Sequence, residues 1–124
     1  MKTAPIFAAC NSNTGVTSLL KGSDNVLRVF MFGEAPQNVQ YPYAVWQMIS
    51  GSPENYLACR PDIETHLIQV DVYAKTSSDA RSVANAIEYA IEDKCYIIGY
   101  NGEFIDPETK NFRSSFTVEW MINR

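Results

Sequence analysis

The sequence predicts an α+β domain, a mostly antiparallel β-sheet with one principal helix packed on a face and short N-terminal helices. Three observations predict it. Residues 66–74 (HLIQVDVYA) alternate with a period of two, so Ile68, Val70, Val72 and Ala74 fall on one side and Leu67, Gln69, Asp71 and Tyr73 on the other. The next segment carries Ala80, Val83, Ala84, Ile87, Ala90 and Ile91 at intervals of three and four, the spacing of a helix with one apolar stripe. Strand-like segments outnumber helical ones and are joined mostly by short turns, which favours antiparallel pairing.

Taken in order, the first element is a short helix that Thr3 caps, with Pro5 tolerated in its first turn and Ile6, Phe7 and Cys10 forming the docking stripe. Residues 11–15 break it, and residues 16–21 give another helical turn before the turn at 22–25. Residues 27–32 read as a strand and residues 36–42 as a loop, whose Tyr41-Pro42 step biases Tyr41 toward an extended conformation. Residues 43–50 (YAVWQMIS) form the next strand, and residues 51–55 a turn. The central strand starts at His66, which places that histidine on an outer rim at the surface.

The principal helix spans residues 78–94, with Ser77, Ser78 or Asp79 near its N-cap and Asp79 at the positive end of the helix dipole. Residues 95–100 and 103–106 flank Asn101-Gly102, the dipeptide suited to a two-residue hairpin, and residues 106–109 make a second turn. The last strand, residues 112–123, puts Phe112, Ser114, Phe116, Val118, Trp120 and Ile122 on one face. Residues 1–124 contain no internal repeat or linker, and one domain is expected.

Composition narrows the function. The 14 acidic residues outnumber the 10 basic ones, for a net charge of −4, and no basic run is present. Gripping nucleic acid by its phosphates needs clustered Lys and Arg, so that class is excluded. Cys10, Cys59 and Cys95 are widely spaced without a CxxC, which reads as separate thiols in a reducing compartment. With His66 the only histidine, no metal site is expected. The apolar run at residues 6–10 falls short of the about 7–15 residues of a secretory core. No segment approaches the ~20 apolar residues of a membrane helix, so a soluble protein with no membrane partner is expected.

The common nucleotide, phosphate and hydrolase motifs are absent, and neither a catalytic residue nor a cofactor is expected. Glu88, Glu92 and Asp93 read as a solvated helix face with nothing apolar beside them, and Asp106 and Glu108 as turn formers. The side of the sheet away from the principal helix carries Leu67 and Tyr73, together with the apolar or aromatic residues of one face in residues 43–49. The N-terminal helices cover part of it, and whatever stays bare marks a protein contact. Two rival classes are a small-ligand-binding or regulatory module with a pocket lined by Trp46, Tyr73, Tyr89 and Trp120, and an enzyme using Cys59 beside Arg60.

Several segments in order resemble the tail terminator family of long-tailed bacteriophages, also called tail completion or tail-to-head joining proteins. They are PIFAACNSNTGVTSLL, YPYAVWQMIS, LIQVDVYAKTSSDARSVANAIEYAI and DPETKNFRSSFTVEW, spanning nearly the whole chain. The resemblance implies a non-enzymatic virion subunit, assembled in the bacterial host cytoplasm, that forms a homo-oligomeric and commonly hexameric ring on the head-proximal end of the tail tube. The ring stops tube growth and offers a surface to the head connector, and DNA passes through its lumen without specific binding. The implied partners are further copies of the chain, the major tail tube protein and the connector protein. From expected exposure, the candidate contacts are Leu67 and Tyr73 on the outward strand face, Glu54 and Arg60 in the 51–60 loop, and Asn101, Glu103 and Lys110 in the 101–110 loop.

Overall fold

The computed structural model describes residues 3–53 and 63–123. Their elements are α1 (Ile6–Asn11), α2 (Thr14–Leu20), β1 (Val29–Met31), β2 (Tyr43–Pro53), β3 (Ile63–Ala74), α3 (Ser77–Ile91), β4 (Tyr96–Ile105) and β5 (Phe112–Asn123). The strands form a sheet in the order β1-β2-β3-β5-β4. β1 runs parallel to β2, and the other neighbouring pairs are antiparallel. The α+β class expected from the sequence is the one the chain adopts.

β3 lies at the centre because it can pair on both edges over most of its length. It matches β5 without interruption from Ile63↔Asn123 to Ala74↔Phe112. One side chain set, Ile68, Val70, Val72 and Ala74 with Phe116, Val118 and Trp120 of β5, is buried against the stripe of α3. That stripe is the expected one, with Ala80, Val83, Ala84, Ile87, Ala90 and Ile91 all buried. Thr76 is the N-cap, its hydroxyl accepting a hydrogen bond from the Asp79 N–H at 3.1 Å. The cap thus falls one residue before Ser77, because Thr76 has an extended backbone while Ser77 is already helical. The helix stops at Ile91, short of residue 94.

The short helices differ in detail from expectation. Pro5 takes the N-cap position of α1, without a side-chain hydrogen bond, so Thr3 is not its cap. The buried stripe of α1 is Ile6, Ala9 and Cys10, and Phe7 is 47% exposed. Positions 6, 9 and 10 follow the three-and-four spacing, whereas position 7 lies about 100° round the helix from position 6. Asn13 caps α2 by accepting from the Val16 N–H at 3.1 Å. Both helices pack against α3, so all described helices lie on one side of the sheet. Among the described residues no element covers the opposite side, which the N-terminal helices were expected to cover in part.

Three further expectations are corrected. β3 begins at Ile63, not His66, so His66 is an interior position of the same parity as Ile68. It is 2% exposed, with its Nε2 at 3.0 Å from the Glu64 carboxylate. β2 runs on through Gly51 to Pro53, where a turn was expected, and the rest of the 51–55 segment lies outside the described residues. Finally, Asn101-Gly102 makes no hairpin turn. β4 passes through it with a register shift between Tyr100 and Gly102, the extra residue being accommodated by Gly102 at φ +112°. The chain reverses instead at residues 106–110, where the Lys110 N–H bonds to the Asp106 carbonyl at 2.8 Å.

Ile87→Ala and Ile91→Ala are each expected to lower unfolding free energy by about 2–5 kcal/mol, and Thr76→Ala by about 0.5–2 kcal/mol. Phe7→Ser should change it by no more than about 0.5 kcal/mol. Denaturant titration of the variants measures all four.

Candidate functional site

The side of the sheet away from the helices is organised in cross-strand rows. The register Tyr43↔Tyr73, Tyr73↔Arg113 and Arg113↔Phe104 draws one row across β2, β3, β5 and β4. Tyr43 and Tyr73 stack at 4.9 Å between centroids with planes 15° apart, and the Arg113 guanidinium lies 4.5 Å above the Phe104 ring. Tyr41 meets Tyr43 edge-on at 5.2 Å, Phe30 of β1 stands 6.4 Å from Tyr43, and Lys75 reaches over Tyr41 at 5.9 Å. Aromatic and Arg side chains are the residues that most often anchor protein interfaces.

Local hydrogen bonds fix this row. Arg28 donates from Nε to the Pro42 carbonyl at 2.9 Å and from Nη2 to the Leu19 carbonyl at 3.3 Å, tying the start of β2 to α2. On the other flank, Asp106 Oδ1 accepts from the Glu108 N–H at 2.9 Å and the Thr109 N–H at 3.5 Å, which holds its carboxyl below the ordinary range. Between these flanks is a recess of about 490 Å³ bordered by Tyr41, Tyr43, Tyr73, Phe104, Asp106 and Arg113. The Arg113 Nε is buried with no hydrogen-bond partner, a state that costs about 1–3 kcal/mol for a buried donor. Burial, and secondarily the neighbouring Tyr41 and Tyr73, push the Tyr43 hydroxyl up to about 12, so it stays protonated.

Beside the aromatic row lies a polar belt. Gln69 donates to both oxygens of Asp71 at 3.2 Å, and Asn101 donates to Ser115 Oγ and Thr117 Oγ1, each at 3.0 Å. At the sheet margin β4 is an edge strand, with Tyr96, Ile98, Tyr100 and Ile105 all exposed. Two contacts hold it to α3. Arg81 grips Glu103 through two parallel bonds of 2.9 and 3.0 Å, and the Tyr100 hydroxyl stands 3.5 Å from Glu88. Glu88 is not fully solvated as expected: partial burial raises its pKa, and the charge of Glu92 adds to the rise.

Of the expected contacts, Tyr73 sits in the aromatic row and Leu67 farther along the same uncovered side, opposite Glu119. Asn101 and Glu103 are exposed yet engaged within the subunit, by Ser115 and Thr117 and by Arg81. Lys110 occupies a left-handed turn position, φ +61°, and is exposed. Glu54 and Arg60 lie outside the described residues, as does Cys59. Arg113 and Phe104 were missed, and Tyr43 was covered only as part of one face of residues 43–49. Their alternation with Ser114, Ala44 and Ile105 was the available signal.

The pocket expected from Trp46, Tyr73, Tyr89 and Trp120 does not assemble. Trp46 and Trp120 are buried on the helix side, Tyr73 is on the opposite side, and Tyr89 is 72% exposed on α3. Burial pushes the Cys10 thiol up to about 12 and the Cys95 thiol to about 11, the opposite of an activated nucleophile. No cluster of potential metal ligands occurs among the described residues, and no described helix is long and apolar enough to cross a membrane.

Stacked rings and a guanidinium lying over a ring thus share one sheet face, next to a strand edge that pairs with no other described strand. The chain belongs to the family described as tail completion protein gp17, whose model matches residues 4–123, and it is a structural tail protein of the bacteriophage virion. No curated protein matches the sequence. Among solved structures, a chain of the virion of native gene transfer agent (GTA) particle matches with a TM-score of 0.74 at 9% identity, over 96% of this chain and 92% of that one. It shows the same fold.

In a Cys59→Ser background, Cys10 and Cys95 should both resist a thiol reagent at pH 8 in the native state, and both should react at once in denaturant. Fast native labelling of either would contradict the burial that raises their pKa values.

Proposed function

We propose that this chain is the tail terminator, assembling as a ring, most simply a hexamer, on the head-proximal end of the tail tube. It stops addition of tube protein there and presents a docking surface to the head connector. The observation that carries this reading is the uncovered sheet face with its ordered aromatic row, continuous with the open β4 edge. An exposed patch of this kind marks a contact site, and it is asymmetric on the subunit. A heterologous contact between unlike surfaces closes into a ring when its rotation divides a full turn, and otherwise grows into a filament.

The work of a terminator is recognition without bond making. One ring face has to match the last tube ring while the other refuses a further tube subunit. Membership of a tail completion family supports this role, and a net charge of −4 is compatible with a lumen that DNA crosses without adhering. Tyr73 and Leu67, on the uncovered side, are the contact residues we retain. Lys110 belongs with the turn that flanks the recess. Asn101 and Glu103 act one step back, holding β4 in place for the residues that touch.

Light scattering over a wide concentration range, with and without the cognate tube protein, tests the reading. A discrete ring, or a monomer that becomes a ring on tubes and fixes their length, is the expected result. A monomer that ignores tube protein while the tubes keep growing would overturn it. Ile98→Lys and Tyr73→Ala should reduce ring formation by tenfold or more, and Ile98→Lys should leave the melting temperature near the wild-type value, since Ile98 is an exposed side chain on the edge strand.

A further inference from the structure

The recess on the uncovered sheet face holds a cation whose partner is missing. Arg113 lies over the Phe104 ring, its Nε is buried and unmet, and no carboxylate pairs with it among the described residues. A guanidinium offers a planar fork of donors that matches a carboxylate. Tyr43 and Tyr73 wall one side of the recess with their stacked rings. Among the described residues the acidic group lining the recess is Asp106, which spends its Oδ1 on the backbone of the 106–110 turn.

We infer that this recess takes the carboxylate of an aspartate or glutamate presented by a second copy of the chain, closing on Arg113 as the anchor of the subunit contact. The inference rests on the ring reading above. Two observations select the occupant. Asp106 in the wall disfavours a polyanion such as a DNA backbone, whereas one side-chain carboxylate meets one guanidinium. The chain carries 14 acidic against 10 basic residues, so every copy has carboxylates to spare, among them the exposed Glu34, Glu92 and Glu108.

Sedimentation velocity on the wild type, Arg113→Gln and Arg113→Lys, each with a thermal melt, tests it. Arg113→Gln is expected to weaken assembly at least tenfold with little change in melting temperature, and Arg113→Lys to restore part of it, since a point charge keeps the attraction but loses the fork. Wild-type rings that form equally well with Arg113→Gln would overturn the recess and leave the ring reading standing. A wild type that stays monomeric with and without tube protein would overturn the ring and the second copy as occupant together. Should Arg113→Gln fail to fold, the Nε–Hε NMR signal of wild-type Arg113 decides. A saturable shift with acetyl-glutamate amide but not acetyl-glutamine amide supports the site, and no shift, or an equal shift with both, overturns it.

Discussion

The packing of the α3 stripe on one parity of β3 and β5 is the constraint on which the rest depends. Once Ile87 and Ile91 are set against Ile68, Val70, Phe116 and Val118, the period of the strands assigns every other side chain to a side. α1 and α2 then bury Ile6, Cys10, Val16 and Leu20 by joining α3 rather than by crossing the sheet. What remains on the far side has to be kept in order by neighbouring strands alone. It is ordered by stacked rings at one end and by side-chain hydrogen bonds in the middle, both of which are cross-strand devices.

Much of this was legible in the sequence, for a physical reason. Residues 68–74 and 80–91 obey different periods, and each period is dictated by the geometry of its own backbone. The alternation of Phe116, Val118, Trp120 and Ile122 is as plain, and all four are buried. His66 shares the parity of Ile68 and could have been placed inside. The polar Glu64 and Thr65 mask the continuation of the strand to Ile63, so its alternation reads as beginning at the histidine.

Asn101-Gly102 was misleading for the opposite reason. The dipeptide favours a hairpin locally, but pairing along β5 and the bonds from Asn101 to Ser115 and Thr117 outweigh that preference. The aromatic row was the least legible part. Tyr43, Tyr73, Phe104 and Arg113 are far apart in the chain and meet through strand order, which no local pattern encodes.

The irregular course of β4 has a bearing on how an open edge survives in solution. Its register breaks between Ile97 and Gly99 and again between Tyr100 and Gly102. A continuous ladder along the margin would need evenly spaced donors and acceptors, and these breaks cut them into short runs with added twist. An identical strand laid alongside cannot match more than a few residues at a time. The edge is thereby open to side-chain contacts with a shaped neighbour and closed to the endless strand-on-strand stacking that yields amyloid.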